Sequence, residues 1–163
     1  MGEKLKCAFI GGLAVGVVVG LVYMVLSLAG AVPILNILAG FASCGMCIIF
    51  PLFGLIAGAL GVHLARKEVL SLVDAGFVGL VAGVTEGLCG WILGMIGAVI
   101  ALAITTVLGI AESATVGLIA AVMGFIFKIL LGGLFNLLLS FVFGVVMGVL
   151  GGVLYAIIVL KVE

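Results

Sequence analysis

Glu86 is the residue of this chain that most clearly could do chemistry. It lies in an apolar stretch that carries no other formal charge between Asp74 and Glu112. A carboxylate removed from water is costly unless it is paired, protonated or used to bind a cation. We therefore interpret Glu86, with the adjacent Thr85, as a candidate ion or proton site. The alternatives are a protonated or hydrogen-bonded Glu86 that fixes helix packing, or a Glu86 that lies near a surface.

Three further polar residues lie in apolar segments. Lys128 is a candidate counter-ion for that carboxylate, although a lysine near a helix end also reaches water through its long stem. Asn36 and Asn136 follow helix-breaking residues, Pro33 in one case and Gly132-Gly133 in the other. Side-chain amides at such breaks either line a filter or gate, or cap the free backbone groups. Both interpretations stay open.

Metal binding and enzymatic catalysis are poorly supported by the sequence. Cys44 and Cys47 form a C-x-x-C pair, but zinc needs further ligands, and the lone His63 is predicted at the other end of the same helix. The two cysteines form a disulfide or act as small apolar packing residues. The sequence holds no phosphate-binding G-x-x-x-x-G-K-[ST] loop and no H-E-x-x-H pair. We expect no catalytic residue, no metal and no cofactor.

The composition excludes a soluble globular domain. Of 163 residues, 67% are hydrophobic and only 7% are charged, against about a quarter in soluble proteins. The mean hydropathy is +1.74. A disordered tail and an electrostatic binder of nucleic acid are excluded for the same reason. The chain is therefore predicted to be an integral membrane protein whose first partner is the lipid bilayer.

The positions of the charges predict the orientation of the first two helices. Residues 7–65 carry no formal charge, enough for two crossings of a hydrocarbon layer about 30 Å thick. Basic pairs flank this stretch, Lys4 with Lys6 before it and Arg66 with Lys67 after it. An even number of crossings puts both pairs on one side, which the positive-inside rule makes cytoplasmic. We expect a cell-membrane protein with a cytoplasmic N-terminus.

The fold class predicted is an all-α, polytopic membrane helix bundle of four to five transmembrane helices. We predict helices over about 6–30, 47–65, 76–108, 114–131 and 135–160, with a short or re-entrant element at 33–45. Five spans put the C-terminus outside. Four spans with a re-entrant hairpin near 99–131 put Lys161 inside, and we favour four. From Gly76, Glu86 is then about 15 Å deep, near the middle of the hydrocarbon layer.

The chain also contains an apparent internal duplication. The paired stretches are Phe9-Ile10-Gly11 with Phe77-Val78-Gly79, Phe53 to Gly61 with Phe143 to Gly151, and Leu35-Asn36-Ile37-Leu38 with Phe135-Asn136-Leu137-Leu138. Both first helices follow cytoplasmic charges, so the repeats are predicted to run parallel. The first repeat is 1–67, a helical hairpin. The second is 68–163, which includes an inserted apolar segment at about 99–133.

Glycines recur every four residues on several predicted helices, which places them on one face where two backbones approach closely. The packing candidates are Gly12, Gly16, Gly20, Gly54, Gly58, Gly83, Gly87, Gly144, Gly148 and Gly152. These faces pack either within the chain or against other subunits. A bundle this small has little room for a private cavity, so a pore is expected to be shared between subunits.

Two family resemblances bear on the function. Pro33-Ile34-Leu35-Asn36, the Cys44 to Cys47 pair, and Pro51-Leu52-Phe53-Gly54 with Arg66-Lys67 resemble an uncharacterised family of small multi-pass membrane proteins of archaeal type. That resemblance covers the first half well and implies a membrane bundle without a specific function. The chain is also similar to the rotary ATPase proteolipid in size, glycine density and a mid-membrane Glu. In the proteolipid, however, the carboxylate lies on the second helix of a hairpin, whereas Glu86 opens the second hairpin.

The sequence therefore leaves two functions open. The first is a non-enzymatic, small, homo-oligomeric transport or channel-like protein for an ion or small solute. The alternative is a structural or assembly subunit of a larger membrane complex, whose glycine faces bind partner helices.

Overall fold

The computed structural model describes residues 2–110 and 133–162, together with Met123 and Phe127 between them. In these residues the chain is all-α. The helices are α1 (Gly2–Gly30), α2 (Pro33–Leu64), α3 (Leu72–Ile110) and α4 (Gly133–Tyr155), which continues as a π-helical segment, Ala156–Leu160. Three stretches are long and apolar enough to cross a membrane: Gly2–Gly30, Leu72–Val107 and Leu137–Leu160. A shorter apolar stretch covers Ile49–Leu64.

A tight turn joins α1 to α2. The backbone N–H of Ala31 donates to the carbonyl of Leu28, and that of Val32 to Ala29, each at 3.1 Å. Val32 is extended, and Pro33 then occupies the first turn of α2, where its missing N–H would be unpaired in any case. The two helices therefore form a hairpin with almost no loop.

The prediction of a separate element at 33–45 followed by a helix over 47–65 is wrong. A single helix runs from Pro33–Leu64, with Pro51 inside it. Proline and glycine are tolerated inside membrane helices because neighbouring helices and local changes of backbone geometry satisfy the backbone groups that they leave without a hydrogen bond. The predicted helix over 114–131 lies outside the described residues, except for Met123 and Phe127, which are helical.

The start of α3 is set by a side-chain cap. The backbone N–H of Asp74 donates to Ser71 Oγ at 3.2 Å, and the Asp74 carboxylate accepts from the backbone N–H of Leu70 at 3.3 Å. Such reciprocal bonds satisfy the free donors of a first helical turn. The helix therefore begins at Leu72 rather than near Gly76, where the apolar pattern predicted it.

Close approaches between helices define their directions. Gly12 meets Ala82 and Gly16 meets Glu86, so α1 and α3 run parallel. Likewise α2 and α4 run parallel, because Gly54 meets Met147 and Gly58 meets Gly148 and Gly152.

The consecutive helices run antiparallel. Gly11 of α1 meets Gly61 of α2, whereas Tyr23, farther along α1, packs its ring on Phe50. The four described helices therefore alternate in direction along the bundle axis, and each crosses the bundle once. α1 and α4 each pack on both α2 and α3, and α2 and α3 also contact one another.

This arrangement gathers most charges at one end of the bundle. We call it the charged end and define it by Lys4, Arg66, Asp74 and Lys161. Lys4 Nζ forms a salt bridge with Asp74 Oδ1 at 3.0 Å, which joins the first turns of α1 and α3. His63 Nδ1 and the Tyr155 hydroxyl lie 2.5 Å apart and join α2 to α4. The other end, near Ala31 and Ile110, carries no charged side chain among the described residues, and we call it the uncharged end.

The helices contact one another largely through glycine. A Cβ added at Gly11 would lie 2.8 Å from Gly61 Cα, and one at Gly148 would lie 2.5 Å from the Gly79 carbonyl oxygen. Real Cβ atoms essentially never approach so closely. The backbones are therefore in direct contact, and dispersion between them holds the helices together. Large apolar side chains such as Phe9, Ile56 and Val146 point outward and are about half exposed.

Candidate functional site

Glu86 lies in the first half of α3, about 18 Å along the helix axis from Asp74 at the charged end. Its side chain is fully buried, and no other charged side chain is buried in the described part of the chain. Neither carboxyl oxygen has a hydrogen-bond partner among the described residues. Buried polar groups are nearly always hydrogen-bonded, so a carboxyl left alone in a protein core requires an explanation.

The space for this carboxyl is made by glycines on the two neighbouring helices. On the α1 side, a Cβ at Gly16 would lie 2.8 Å from the Glu86 carbonyl oxygen and 3.0 Å from its Cα. On the α4 side, a Cβ at Gly144 would lie 3.3 Å from Glu86 Oε2. Two glycines therefore close around the residue from opposite sides. An ionised carboxylate held there would cost several kcal/mol unless a cation or a proton joined it.

Thr85 does not assist this carboxyl. Its hydroxyl donates to the Val81 carbonyl of its own helix at 2.8 Å. Its Cβ faces α1, only 2.9 Å from where a Cβ at Gly12 would lie. The two residues that the sequence analysis grouped thus point in different directions, Thr85 toward α1 and the Glu86 carboxyl toward α4.

The other predicted site residues cannot be compared with Glu86 in the same way. Lys128 lies outside the described residues, as do the side chains of Asn36 and Asn136. The side chains of Cys44 and Cys47 lie outside them too. Among the described residues, no group of three or more His, Cys, Asp or Glu side chains could hold a metal ion.

A cavity of about 150 Å³ lies in the half of the bundle toward the uncharged end. Its walls come from α1, α3 and α4, and we call it the hydroxyl pocket. The lining residues are Tyr23, Ser27, Gly90, Trp91, Gly94, Met95, Ala98 and Ser140. It therefore combines three hydroxyl groups with aromatic and glycine walls, which is unusual within such apolar helices.

The floor of the hydroxyl pocket lies about one helical turn from Glu86. On α3, Gly90 is four residues beyond Glu86, a rise of about 6 Å. On α4, Ser140 is four residues before Gly144, the residue against which the carboxyl lies. The Ser140 carbonyl oxygen also approaches Gly87, at 2.8 Å from the place of a Cβ there. The pocket and the carboxyl are thus neighbours along both helices.

The hydroxyl pocket was not predicted from the sequence, because Tyr23, Ser27 and Ser140 were not selected as site residues. A usable signal was present: each serine is an isolated hydroxyl in an apolar helix, and Ser140 continues the four-residue spacing of Gly144 and Gly148.

A second depression, of about 350 Å³, lies on the outer surface of α3. It is lined only by Trp91, Ile92, Met95, Ile96, Val99 and Ile100. These side chains are apolar apart from the indole N–H, so this groove is suited to contact with lipid chains and offers no site for an ion.

Within the part of the chain that the structure describes, the fold and the site define a class: an all-α bundle with three helices long and apolar enough to cross a membrane, and one buried carboxyl without a hydrogen-bond partner. Comparison of the chain with known protein families, with curated proteins and with solved structures finds no match. The resemblance to small archaeal membrane proteins therefore stays a prediction.

Proposed function

We propose that this chain is a small integral membrane transport or channel-like protein for an ion or small solute, with Glu86 as its central binding group. The observation that carries the proposal is the complete burial of the Glu86 carboxyl, which has no hydrogen-bond partner among the described residues. Ionisable residues inside membrane segments are rare and typically mark ion or substrate pathways.

A purely structural Glu86 is less consistent with its surroundings. A carboxyl that fixed helix packing would be expected to donate or accept a hydrogen bond across the helix interface. Instead, the carboxyl lies against Gly144, and the nearby Thr85 hydroxyl is used within its own helix. A buried polar group without a bond costs about 1–3 kcal/mol of stability, so an exchangeable ligand is the better explanation for keeping it.

The orientation proposed from sequence agrees with the positions of the basic residues. Lys4 pairs with Asp74 at the charged end, where Arg66 and Lys67 follow α2. Under the positive-inside rule this end faces the cytoplasm, so the N-terminus is cytoplasmic and the hydroxyl pocket lies toward the outer side of the cell membrane.

The duplication into 1–67 and 68–163 is part of the proposal. It is supported by the parallel directions of α1 with α3 and of α2 with α4. The proposed alignment makes Gly58 and Gly148 equivalent, and these two residues touch across the α2–α4 interface. Contact between equivalent residues on parallel helices is expected where an axis along the membrane normal relates two repeats.

The alternative function, an assembly subunit that binds partner helices through glycine, is less favoured. Gly16 and Gly148 already contact α3 of the same chain at distances that leave no room for another helix. A homo-oligomer remains part of the proposal, with contacts made by the apolar outer surface. Its subunit number is measurable by native mass spectrometry from mild detergent.

The decisive test is flux through reconstituted protein. Vesicles containing the purified chain are loaded with a pH-sensitive or cation-sensitive dye and exposed to a gradient of H⁺, Na⁺, K⁺ or a small amine. We expect flux of one species, largely lost in Glu86→Gln and unchanged in Glu68→Gln. Glu68 is the matched control because it is an exposed carboxylate at the charged end.

Absence of flux in the parent protein under all of these gradients would contradict the proposal. Stoichiometric co-purification with a different membrane protein would then favour the assembly subunit. Flux that persists in Glu86→Gln would support transport but show that Glu86 is not its binding group.

A further inference from the structure

We propose that the hydroxyl pocket is a hydrated vestibule through which protons reach Glu86 from the uncharged end, and that the species bound at Glu86 is a proton. The inference rests on the proposed function, because it takes Glu86 as the binding group. It adds the identity of the ligand and the side from which that ligand arrives.

The immediate surroundings of the Glu86 carboxyl suit a proton and not a metal cation. Hard cations such as Ca²⁺ and Mg²⁺ take six or more oxygen ligands. Neither carboxyl oxygen has a hydrogen-bond partner among the described residues, and Gly144 is the neighbour on α4. A proton needs only the carboxyl itself, and its binding removes the buried charge.

Among the described residues, few titratable groups face Glu86 from the elements packed around it. Cys89, half-buried, follows it by one turn on α3. α1 presents Gly12 and Gly16, and α4 presents Gly144. The stretch 53–57 of α2 carries no titratable side chain. Protonation of Glu86 therefore depends mainly on its access to water.

The hydroxyl pocket has the size and lining that water requires. A volume of about 150 Å³ holds roughly five waters at ~30 Å³ each. Water enters a cavity when two to four polar partners are present, whereas apolar cavities stay dry. Tyr23, Ser27 and Ser140 supply hydroxyl groups here. The glycines of the same wall, Gly90 and Gly94, bring the α3 backbone to its surface.

In this proposal a change of the Glu86 rotamer connects the pocket with the sealed position. The Glu86 carboxyl lies beside Gly144, one turn from Ser140 along α4. Gly87 packs on the Ser140 carbonyl and Gly90 on Val19, so the new rotamer requires α3 and α4 to separate locally at Ser140. The ionised carboxylate, turned toward the pocket, takes a proton from a hydronium ion and leaves a water molecule. The neutral acid then returns to Gly144 without burying a charge, and release reverses these steps.

The test is the rate at which the Glu86 carboxyl exchanges its proton for deuterium. The C=O stretching band of a protonated carboxyl shifts when D₂O replaces H₂O, and the Glu86 band is identified by its absence in Glu86→Gln. Infrared spectra are recorded from acidic to neutral pH on protein in lipid. We expect fast exchange in the parent protein, slowed by about tenfold or more in Gly94→Val, which fills the pocket.

Gly94→Val has a matched control. A Cβ at Gly94 would meet Tyr23 Cβ at 3.5 Å, an ordinary contact, and one at Gly76 would meet Val153 at 3.7 Å, far from the pocket. Gly76→Val is therefore expected to leave the exchange rate unchanged. Ser140→Ala is the second pocket variant. It removes a hydroxyl without adding bulk, and it is also expected to slow exchange.

The outcomes separate the two proposals. Equal exchange rates in Gly94→Val, Ser140→Ala and the parent would overturn the vestibule, even if Glu86-dependent flux is found. Glu86-dependent flux of Na⁺ or K⁺ without H⁺ would support the proposed function and contradict the proton as the species bound at Glu86. Exchange that depends on the pocket, without any flux, would support the hydrated vestibule and contradict the proposed transport function.

Discussion

The carboxyl group of Glu86 lies against Gly144, so close that a Cβ on Gly144 would be 3.3 Å from Oε2. A glycine on α4 thus leaves the space that an acid on α3 occupies. The same glycine packs on the Gly83 carbonyl, where its Cβ would approach to 2.5 Å. One position therefore controls both the helix contact and the space around the buried carboxyl.

Gly144→Ala is expected to destabilise the bundle by about 1–3 kcal/mol, the usual cost of overpacking a tight core. The added methyl group cannot avoid the Gly83 backbone without moving α4 away from α3. Thermal unfolding in mild detergent, followed by circular dichroism, measures the effect.

Gly76→Ala is the control for this comparison. Its Cβ would meet only side-chain atoms of Val153 and Val149, at 3.7 and 3.9 Å. It should unfold at the same temperature as the parent protein. Equal unfolding temperatures for Gly144→Ala and Gly76→Ala would show that the α3–α4 contact is looser than these distances indicate.

Glu86→Met is expected to stabilise the bundle by about 1–3 kcal/mol, because it replaces a buried polar group that has no hydrogen-bond partner among the described residues with an apolar one of similar length. Unfolding in detergent measures it alongside Glu68→Met at the exposed control position. The result addresses the packing interpretation directly. A clear loss of stability in Glu86→Met would mean that the carboxyl makes a stabilising bond and is structural.

The Lys4–Asp74 salt bridge is expected to contribute more than the Lys6–Glu3 pair. Lys4 and Asp74 are 20% and 33% exposed, whereas Lys6 and Glu3 are both 70% exposed and better screened by solvent. Double-mutant cycles with Lys4→Gln and Asp74→Asn should give a favourable coupling that weakens as salt is added. The equivalent cycle on Lys6 and Glu3 should give almost none. The reverse ranking would mean that the α1–α3 contact at this end does not depend on charge.

The alternating directions of the four described helices predict which positions share a side of the membrane. In a background without native cysteines, Lys67→Cys should react with an impermeant thiol reagent from one side and Val32→Cys from the other. Both positions are exposed in the structure. Lys161→Cys, at the end of α4, should react on the same side as Lys67→Cys. Its reaction on the opposite side would require an odd number of crossings.

Much of the fold could be predicted from the sequence. Long apolar stretches between basic pairs indicated helices that cross a membrane, since only a helix pairs its own backbone groups in lipid. Their boundaries were predicted less well. Pro33 and Pro51 were expected to separate two elements, yet both lie in one helix. The beginning of α3 depended on the cap between Ser71 and Asp74, which the apolar pattern does not detect.

The candidate site was predicted only in part. Glu86 could be selected from sequence because a lone charge in an apolar segment is costly wherever the helix packs. Its actual neighbours, Gly16 and Gly144, come from helices far apart in the chain. The serines of the hydroxyl pocket carry no such cost when exposed, so an isolated hydroxyl in an apolar helix was a weaker signal than the isolated charge of Glu86.

The sequence by itself determined the long apolar helices, the clustering of the basic residues and the isolation of Glu86 in an apolar segment, because transfer free energies depend on residue type and segment length. Only the tertiary structure decided that α2 is continuous, that Thr85 turns away from Glu86, and that Tyr23, Ser27 and Ser140 meet in one cavity. The physical reason is that helix association in lipid has little hydrophobic driving force. Each helix pairs with the neighbour whose glycine face allows close backbone contact, and the apolar pattern of a helix does not specify which neighbour that is.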